Sequence, residues 1–206
     1  MMALQNDLDA RIRLAREEEA FVSGSFSGEA LDGGDLTGMD FRNAVFSGCR
    51  FTGCDFSQAS FVDVRFEQCS FVGCRFLHTF WRRCALDGCK GDGANFSESS
   101  LRETQMRECA FRYANFSDGS WERCTVRDSA LREAALSALK LQRVTLSGVD
   151  LTGVDFFKTA LKGVDLSDCD IGGILVSENC AELRGAEISA AQSVELARIL
   201  GVRIVG

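Results

Sequence analysis

Residues 41–61 read FRNAVFSGCRFTGCDFSQASF, with a phenylalanine at every fifth position. The period extends in both directions. Of the 32 positions between 21 and 176 whose numbers end in 1 or 6, all except Gly91 hold a large apolar residue. A helix returns to one face every 3.6 residues and a strand every two, so neither sustains a period of five. A chain that bends once per five-residue unit and coils into a solenoid does sustain it.

Each unit has a second inward position, two residues before the large one. It holds mostly Cys, Ala or Val, as at Ala44, Cys49 and Cys54. This in-out-in alternation is typical of extended chain, and the remaining polar or glycine positions turn the corner. The chain has 20 glycines and no proline, so every unit keeps a backbone N–H for the neighbouring coil.

These units resemble the pentapeptide repeat family, whose unit is A-(D/N)-L-x-x. Good matches are Cys54–Gln58, Ala94–Glu98, Ala114–Asp118 and Val149–Gly153. The resemblance covers nearly all of 21–176 and implies an all-β solenoid, a right-handed quadrilateral β-helix with four units, or 20 residues, per coil. The 32 units would form about eight coils and a rod of roughly 38 Å. We name its four faces after Phe41, Phe46, Phe51 and Phe56, each face continuing in steps of 20 residues.

The chain divides into a predicted N-terminal capping helix (1–18), a β-helix (19–178) and a C-terminal cap with a candidate dimerisation element (179–206). The first helix has an apolar stripe that would cover the first coil. That stripe consists of Leu4, Leu8, Ile12 and Ala15. Because Glu19 and Glu29 occupy small inward positions, the regular lumen is expected to begin near residue 31.

The period stops after Val176 and resumes in a shifted register at Leu183 and Ile188. Ser189–Gln192 matches a capping box, Gly201 suits a helix end, and Val202–Val205 predicts a final strand. The tail resembles that of family members that protect DNA gyrase, which implies a homodimer of two rods joined end to end. The interface residues would be Val194, Leu196, Ala197, Leu200, Val202 and Ile204. A capping helix on a monomer is the alternative.

Nine of the ten cysteines fall at small inward positions, and Cys49, Cys69, Cys89 and Cys109 are expected to stack on one wall. A single column does not surround a zinc ion tetrahedrally. Parallel Cβ atoms about 4.8 Å apart also exceed the spacing that a disulfide prefers. We interpret these cysteines as small buried hydrophobic residues.

Gly91 would face Trp81 across the lumen, so an oversized side chain is expected to compensate for a missing one. The alternative is a local break in the coil. On the first interpretation, Gly91→Phe would clash.

No catalytic or cofactor motif is recognised. The only histidine, His78, falls on an outward corner, and the carboxylates lie at outward positions. We predict that the protein is not an enzyme and holds neither metal nor cofactor. With 23 basic and 30 acidic residues the net charge is −7, which argues against direct nucleic-acid binding. No apolar run is long enough to span a membrane and no secretory signal is seen, so a cytoplasmic location is expected.

The charge is uneven: the Phe41 face is net +3, the Phe46 face −3, the Phe51 face −2 and the Phe56 face −4. The resemblance implies a DNA-mimicking rod that binds a type II topoisomerase such as DNA gyrase and gives resistance to topoisomerase poisons. Carboxylates standing in for phosphates would be Asp35, Asp55, Glu98, Asp118, Asp155 and Glu178. The alternative is a protein–protein interaction scaffold anchored by Leu77 and Phe80.

Overall fold

The structure is a computed structural model that describes residues 7–203 and Val205. It contains two helices, α1 (Leu8–Glu17) and α2 (Ser193–Ile199), and a 3₁₀ turn at Ala181–Leu183. The strands are β1 (Val22–Ser27), β2 (Ala30–Asp32), β3 (Asp40–Ser47), β4 (Arg50–Thr52), β5 (Ser60–Val62), β6 (Arg65–Glu67), β7 (Phe80–Arg82), β8 (Ala85–Asp87), β9 (Ser100–Arg102), β10 (Gln105–Arg107), β11 (Ser120–Glu122), β12 (Thr125–Arg127), β13 (Lys140–Gln142) and β14 (Thr145–Ser147).

The chain coils into a parallel β-solenoid with four faces. Strands cover two of them: β5, β7, β9, β11 and β13 form the Phe41 face, β6, β8, β10, β12 and β14 form the Phe46 face, and β3 bends across both. Each strand pairs in parallel with the one 20 residues later, as in Phe41↔Phe61 and Phe46↔Phe66. The 20-residue coil is therefore confirmed.

The Phe51 and Phe56 faces consist mainly of turns. Among the described residues, only β2 and β4 pair as strands there, and single bridges such as Asn95↔Asn115 continue the stack above them. Within most of these turns an inward N–H bonds to the carbonyl three residues earlier, as the Ala59 N–H does to that of Phe56 at 2.9 Å. The solenoid thus has two sheet-like faces and two turn-like faces, although all four carry the same five-residue pattern.

Strands occupy both sheet-like faces for about six turns, from β3 to β14, rather than the eight coils predicted. Above β14 the 20-residue step continues only through single bridges such as Asp150↔Asp170. Below β3, the pairing is distorted by a bulge between Val22 and Gly24. The terminal coils lack a regular neighbour on one side, which explains their weaker strand geometry.

The lumen is filled by stacked rings. Phe41 and Phe61 stack with centroids 5.0 Å apart, and Phe61 stacks on Trp81 at 4.1 Å. The Trp81 indole N–H donates to the buried hydroxyl of Thr79 at 2.9 Å, so its polar atom is satisfied inside an apolar core. A phenylalanine has no such requirement, which explains the excess of phenylalanine among the aromatic residues.

The predicted compensation of Gly91 by Trp81 is wrong. A Cβ added at Gly91 would lie 2.2 Å from Cε1 of Phe111, the residue one coil above on the same face. The space is therefore filled along the rod axis rather than across the lumen. The local break is also excluded, because the Gly91 N–H bonds to the Ala110 carbonyl at 2.7 Å and the register continues.

A short N-terminal helix forms as predicted, and its apolar side packs against the core. Asp7 accepts a hydrogen bond from the Ala10 N–H at 3.1 Å, and the stripe from Leu8 to Ala15 is buried. Leu4 lies outside the described residues. Two expectations nearby are wrong: Phe21 is 46% exposed, and the lumen begins at the buried Val22 rather than near residue 31. The bulge after Val22 moves this coil by one residue, so Val22 takes the inward position.

The C-terminal segment continues the stack in a shifted register. The Leu161 N–H bonds to the Glu182 carbonyl, and the Leu166 N–H bonds to that of Glu187. Leu183 and Ile188 consequently pack against the core, as the resumed period predicts.

Side chains terminate the last coil. The Gln192 amide N–H₂ donates to the carbonyls of Leu166 and Cys169, each at 2.7 Å. Gln192 Oε1 accepts the Ser189 N–H at 2.7 Å, as in the predicted capping box, but α2 begins at Ser193 with Gln192 at the N-cap rather than directly after Ser189. Gly201 ends the helix with a φ of 72°, as predicted. No strand forms at 202–203 or at Val205, which are exposed and have no strand to pair with among the described residues.

Candidate interaction surface

The six carboxylates predicted to mimic phosphates lie mainly along two columns of the Phe56 face. Asp35 and Asp55 form a bridge pair on adjacent coils, and Asp155 lies five coils above Asp55 in the same column. Glu98 and Asp118 lie on adjacent coils at the neighbouring corner. The last of the six, Glu178, is exposed in the turn that follows the last coil. The face therefore carries short acidic clusters instead of a continuous line.

Three of these carboxylates also build turns. One carboxylate oxygen of Asp55 accepts the Ser57 N–H at 2.9 Å, and Asp35 and Asp155 accept the N–H two residues ahead in the same way. The hydrogen bond from the Thr37 N–H lowers the pKa of Asp35. Burial would raise the pKa of Asp55, but hydrogen bonds at Ser57 and the charge of Arg75 outweigh it and lower the pKa. Asp35 and Asp55 are therefore anionic at neutral pH while they hold their turns.

Basic side chains interrupt the acidic columns. Arg75 follows Asp55 in its column and lies 3.7 Å from its carboxylate. His78 lies one coil below Glu98, with Nδ1 3.4 Å from a carboxylate oxygen. Glu98 remains 55% exposed, and Asp118 is exposed with no ion-pair partner among the described residues. Glu98 and Asp118 are therefore both accessible to a partner.

A second acidic region lies on the Phe46 face, where the sequence pointed to no particular residue. Glu67, Asp87 and Glu108 line a groove of ≈ 390 Å³ together with Arg107. Arg107 lies 3.6 Å from Asp87 and 3.2 Å from Glu108, so part of this charge is neutralised locally. The net charge of −3 counted for this face was the available signal.

The two residues of the candidate apolar anchor, Leu77 and Phe80, lie on different faces and differ in exposure. Phe80 is 39% exposed at the start of β7, whereas Leu77 is half-buried on the neighbouring face. The corner between them carries His78, whose side chain is 50% exposed. Phe80 is therefore the main apolar contact that this corner offers.

The candidate dimer residues also separate into two groups. Leu196 packs against the core of its own solenoid, and Ala197 is half-buried. Val194, Leu200 and Val202 are 39%, 65% and 54% exposed. Ile204 lies outside the described residues. Val194, Leu200 and Val202 are therefore the candidate residues that a second rod could contact directly.

The cysteines behave as buried small residues with a weak donor. Nine are buried free thiols, and Cys180 is half-buried. Eight of the nine buried thiols donate to the carbonyl 23 residues earlier, as Cys84 does to Phe61 at 3.3 Å, and Cys169 donates to the carboxylate of the preceding aspartate. Burial raises the pKa of Cys84 and of Cys124 to about 11. Among the described residues no group of three or more His, Cys, Asp or Glu is arranged to hold a metal, and no helix is long and apolar enough to cross a membrane.

Family comparisons agree with this geometry. A pentapeptide repeat region model matches residues 59–136, and a model of eight pentapeptide repeats matches residues 26–58 and 129–171. The chain belongs to the pentapeptide repeat family. No curated protein matches the sequence.

Several solved structures of this family are similar to the chain. Full-length QnrB1, a plasmid-mediated fluoroquinolone resistance protein, is 21% identical over 87% of this chain and 100% of its own, with a TM-score of 0.45. HetL, involved in heterocyst differentiation regulation in the cyanobacterium Nostoc sp. strain PCC 7120, is 16% identical over 79% of this chain and 86% of its own, with a TM-score of 0.33. A likeness at this level carries nothing about function.

Proposed function

We propose that this pentapeptide repeat protein is a non-enzymatic binding protein, a DNA-mimicking rod that binds a type II topoisomerase such as DNA gyrase and reduces the effect of topoisomerase poisons. The observation that carries the proposal is the acidic Phe56 face, where Asp35–Asp55 and Glu98–Asp118 repeat at the coil spacing. The resemblance of the tail to gyrase-protecting members supports the choice of partner.

Gyrase supercoiling, measured with and without a poison over a titration of the protein, tests this proposal. The key variant combines Asp35→Asn, Asp55→Asn, Glu98→Gln and Asp118→Asn. Asparagine keeps the turn acceptor, because Asn95 already accepts the Ser97 N–H at 3.0 Å in the same column. We expect the native rod to restore supercoiling less effectively as salt rises, and the variant to lose the effect.

A matched control neutralises four acidic residues on the Phe46 face: Glu67→Gln, Asp87→Asn, Glu108→Gln and Asp128→Asn. It changes the net charge equally, and exposed ion pairs contribute little to stability. Equal loss in both variants would contradict the assignment to the Phe56 face. No protection by the native rod at tens of micromolar would overturn the topoisomerase proposal.

The scaffold alternative rests on the exposed ring of Phe80. A partner held there would be lost on Phe80→Ala and would be insensitive to salt. Pull-downs with native and Phe80→Ala rods distinguish this candidate from an electrostatic ligand.

We also propose that two rods associate through Val194, Leu200 and Val202. Sedimentation of the native chain should then give twice 22.5 kDa. Leu200→Asp with Val202→Asp should give the monomer with unchanged circular dichroism. A native monomer at high concentration would contradict this arrangement.

A further inference from the structure

The cations of the Phe41 face fall into two groups. In the N-terminal part most are neutralised by a carboxylate one coil away. Arg83 donates two hydrogen bonds of 2.6 Å to Asp63, and Arg123 lies 2.7 Å from Glu103. Arg102 similarly lies 3.2 Å from Glu122. This part of the face is therefore close to neutral at its surface.

At the C-terminal end of this face and its corner the cations have no such partners. Five exposed cations lie there without a carboxylate of the described residues within 4.0 Å. We call them the basic patch: Lys140, Arg143, Lys158, Lys162 and Arg184.

The basic patch is compact. Lys140 begins β13 and Arg143 follows its end, while Lys162 lies on the next coil. The tail adds a third level, because a Cβ built on Gly185 would lie 3.1 Å from Cγ of Lys162, which places Arg184 beside it. Three levels at about 4.8 Å bring these cations within roughly 10 Å along the axis.

We propose that the basic patch binds the phosphodiester backbone of nucleic acid without reading its sequence. Unpaired like charges repel one another, so their clustering gains nothing for the isolated fold. Long Lys and Arg side chains on a flat face suit a repeating line of phosphates.

Apolar groups at the patch are few. The exposed ring of Phe157 lies at its edge, on the Phe56 face, and the Lys158 ammonium sits 5.1 Å from the ring centroid. Protein interfaces and membrane-binding surfaces need a cluster of exposed apolar side chains, and this patch has one ring, which already contacts a cation. The balance of charged over apolar groups therefore favours a polyanion.

The net charge of −7 weakens such binding through long-range repulsion between the protein and the phosphates. Among the described residues, no carboxylate is paired with any of the five cations. At physiological ionic strength the Debye length is about 8 Å, so the basic patch presents its own local potential. The expectation from net charge alone therefore does not decide the matter.

Fluorescence anisotropy of a labelled 20-base-pair duplex, titrated with the full chain at 25–150 mM salt, tests the proposal. Affinity should fall with salt, with a log–log slope of about −0.9 per neutralised phosphate. Lys140→Gln with Lys162→Gln should weaken binding about tenfold at low salt and flatten the slope by about 1 to 2. The assay contains no topoisomerase, so its outcome is independent of the proposed function.

The control is Arg50→Gln with Arg82→Gln, two exposed arginines outside the basic patch that give the same change in net charge. It should bind the duplex nearly as the native chain does. Equal weakening by the control, or no binding at 25 mM salt, would overturn the proposal. Binding to vesicles with anionic lipids or to polyglutamate, but not to the duplex, would overturn it in favour of a membrane or an acidic protein.

Discussion

Gly91 offers a sharp test of how the lumen is filled. An alanine there would place its Cβ 2.2 Å and 2.4 Å from two ring carbons of Phe111. The ring does not move away freely, because it is fully buried and packs edge-on against Phe96 and Phe116 at 5.7 and 6.0 Å. Overpacking of this kind costs about 1–3 kcal/mol. Alanine in place of glycine within extended chain recovers about 0.5–1 kcal/mol, so we expect a net loss of up to about 2.5 kcal/mol.

The pair of substitutions is more informative than the single one. Phe111→Ala alone should cost about 3–5 kcal/mol, since it empties a buried ring site. Once that ring is gone, Gly91→Ala should no longer destabilise, so the double variant should be more stable than the two separate losses predict. The coupling should equal the overpacking cost of about 1–3 kcal/mol, beyond the scatter of about 0.5 kcal/mol between independent sites.

Urea unfolding followed by both tryptophan fluorescence and circular dichroism measures these differences, provided that the two signals coincide. Trp81→Phe with Gly91→Ala is the matched control. If Trp81 faced the gap, this pair would couple and the Phe111 pair would not. Additive losses for Gly91→Ala and Phe111→Ala would refute axial filling.

Three other contacts make testable predictions. Glu182 accepts hydrogen bonds from the Lys158 and Ser177 N–H groups and from the Ser177 hydroxyl. Burial alone would raise the pKa of Glu182, but these hydrogen bonds outweigh burial and lower the pKa to about 2. Because the folded pKa is depressed, the stabilisation is present above the ordinary pKa of 4.5 and is lost as the pH falls towards 2. Glu182→Gln should cost about 1–3 kcal/mol at pH 7 and much less near pH 2, and urea unfolding that is equally affected at both pH values would contradict this. A thiol reagent should label Cys180 quickly and the nine buried thiols only on unfolding, because the packed lumen keeps the reagent away from them; two or more fast thiols in the native protein would contradict the burial. Tyr113 has a φ of 58° at an exposed corner, so Tyr113→Gly should stabilise by about 0.5–1 kcal/mol in urea, while Tyr113→Val should destabilise.

The period of five predicts the register of the fold because a large residue must enter the lumen at every unit. It predicts the burial of nine cysteines from their positions alone, and the resemblance to pentapeptide repeats adds the 20-residue coil that pairs Phe41 with Phe61. The period does not predict whether a side chain in the lumen extends along the rod axis or across the lumen. The sequence therefore pairs Gly91 with the wrong ring, since filling along the axis and filling across the lumen obey the same pattern.

The two ends of the solenoid depart from the five-residue period because their residues contact the terminal helices and turns rather than another regular coil. The bulge after Val22 exposes Phe21, and α2 begins at Ser193 although Gln192 keeps its capping-box contact with Ser189 and also binds two carbonyls of the last coil. On the surface, the sequence locates the acidic columns but not their double role. That Asp55 holds a turn while Asp118 does not depends on a hydrogen bond that only the structure reveals.

The 20-residue stacking step has a consequence for how such a chain changes over evolutionary time. Duplicating 20 residues lengthens the rod by about 4.8 Å and leaves every later side chain on its original face. Duplicating only five residues preserves the lumen equally well but rotates everything downstream by a quarter turn. Lys140 and Lys162 would then lie on the side of the rod that the acidic Phe46 face had occupied. Selection on folding alone tolerates both events, whereas selection on a surface that recognises a partner tolerates only the first.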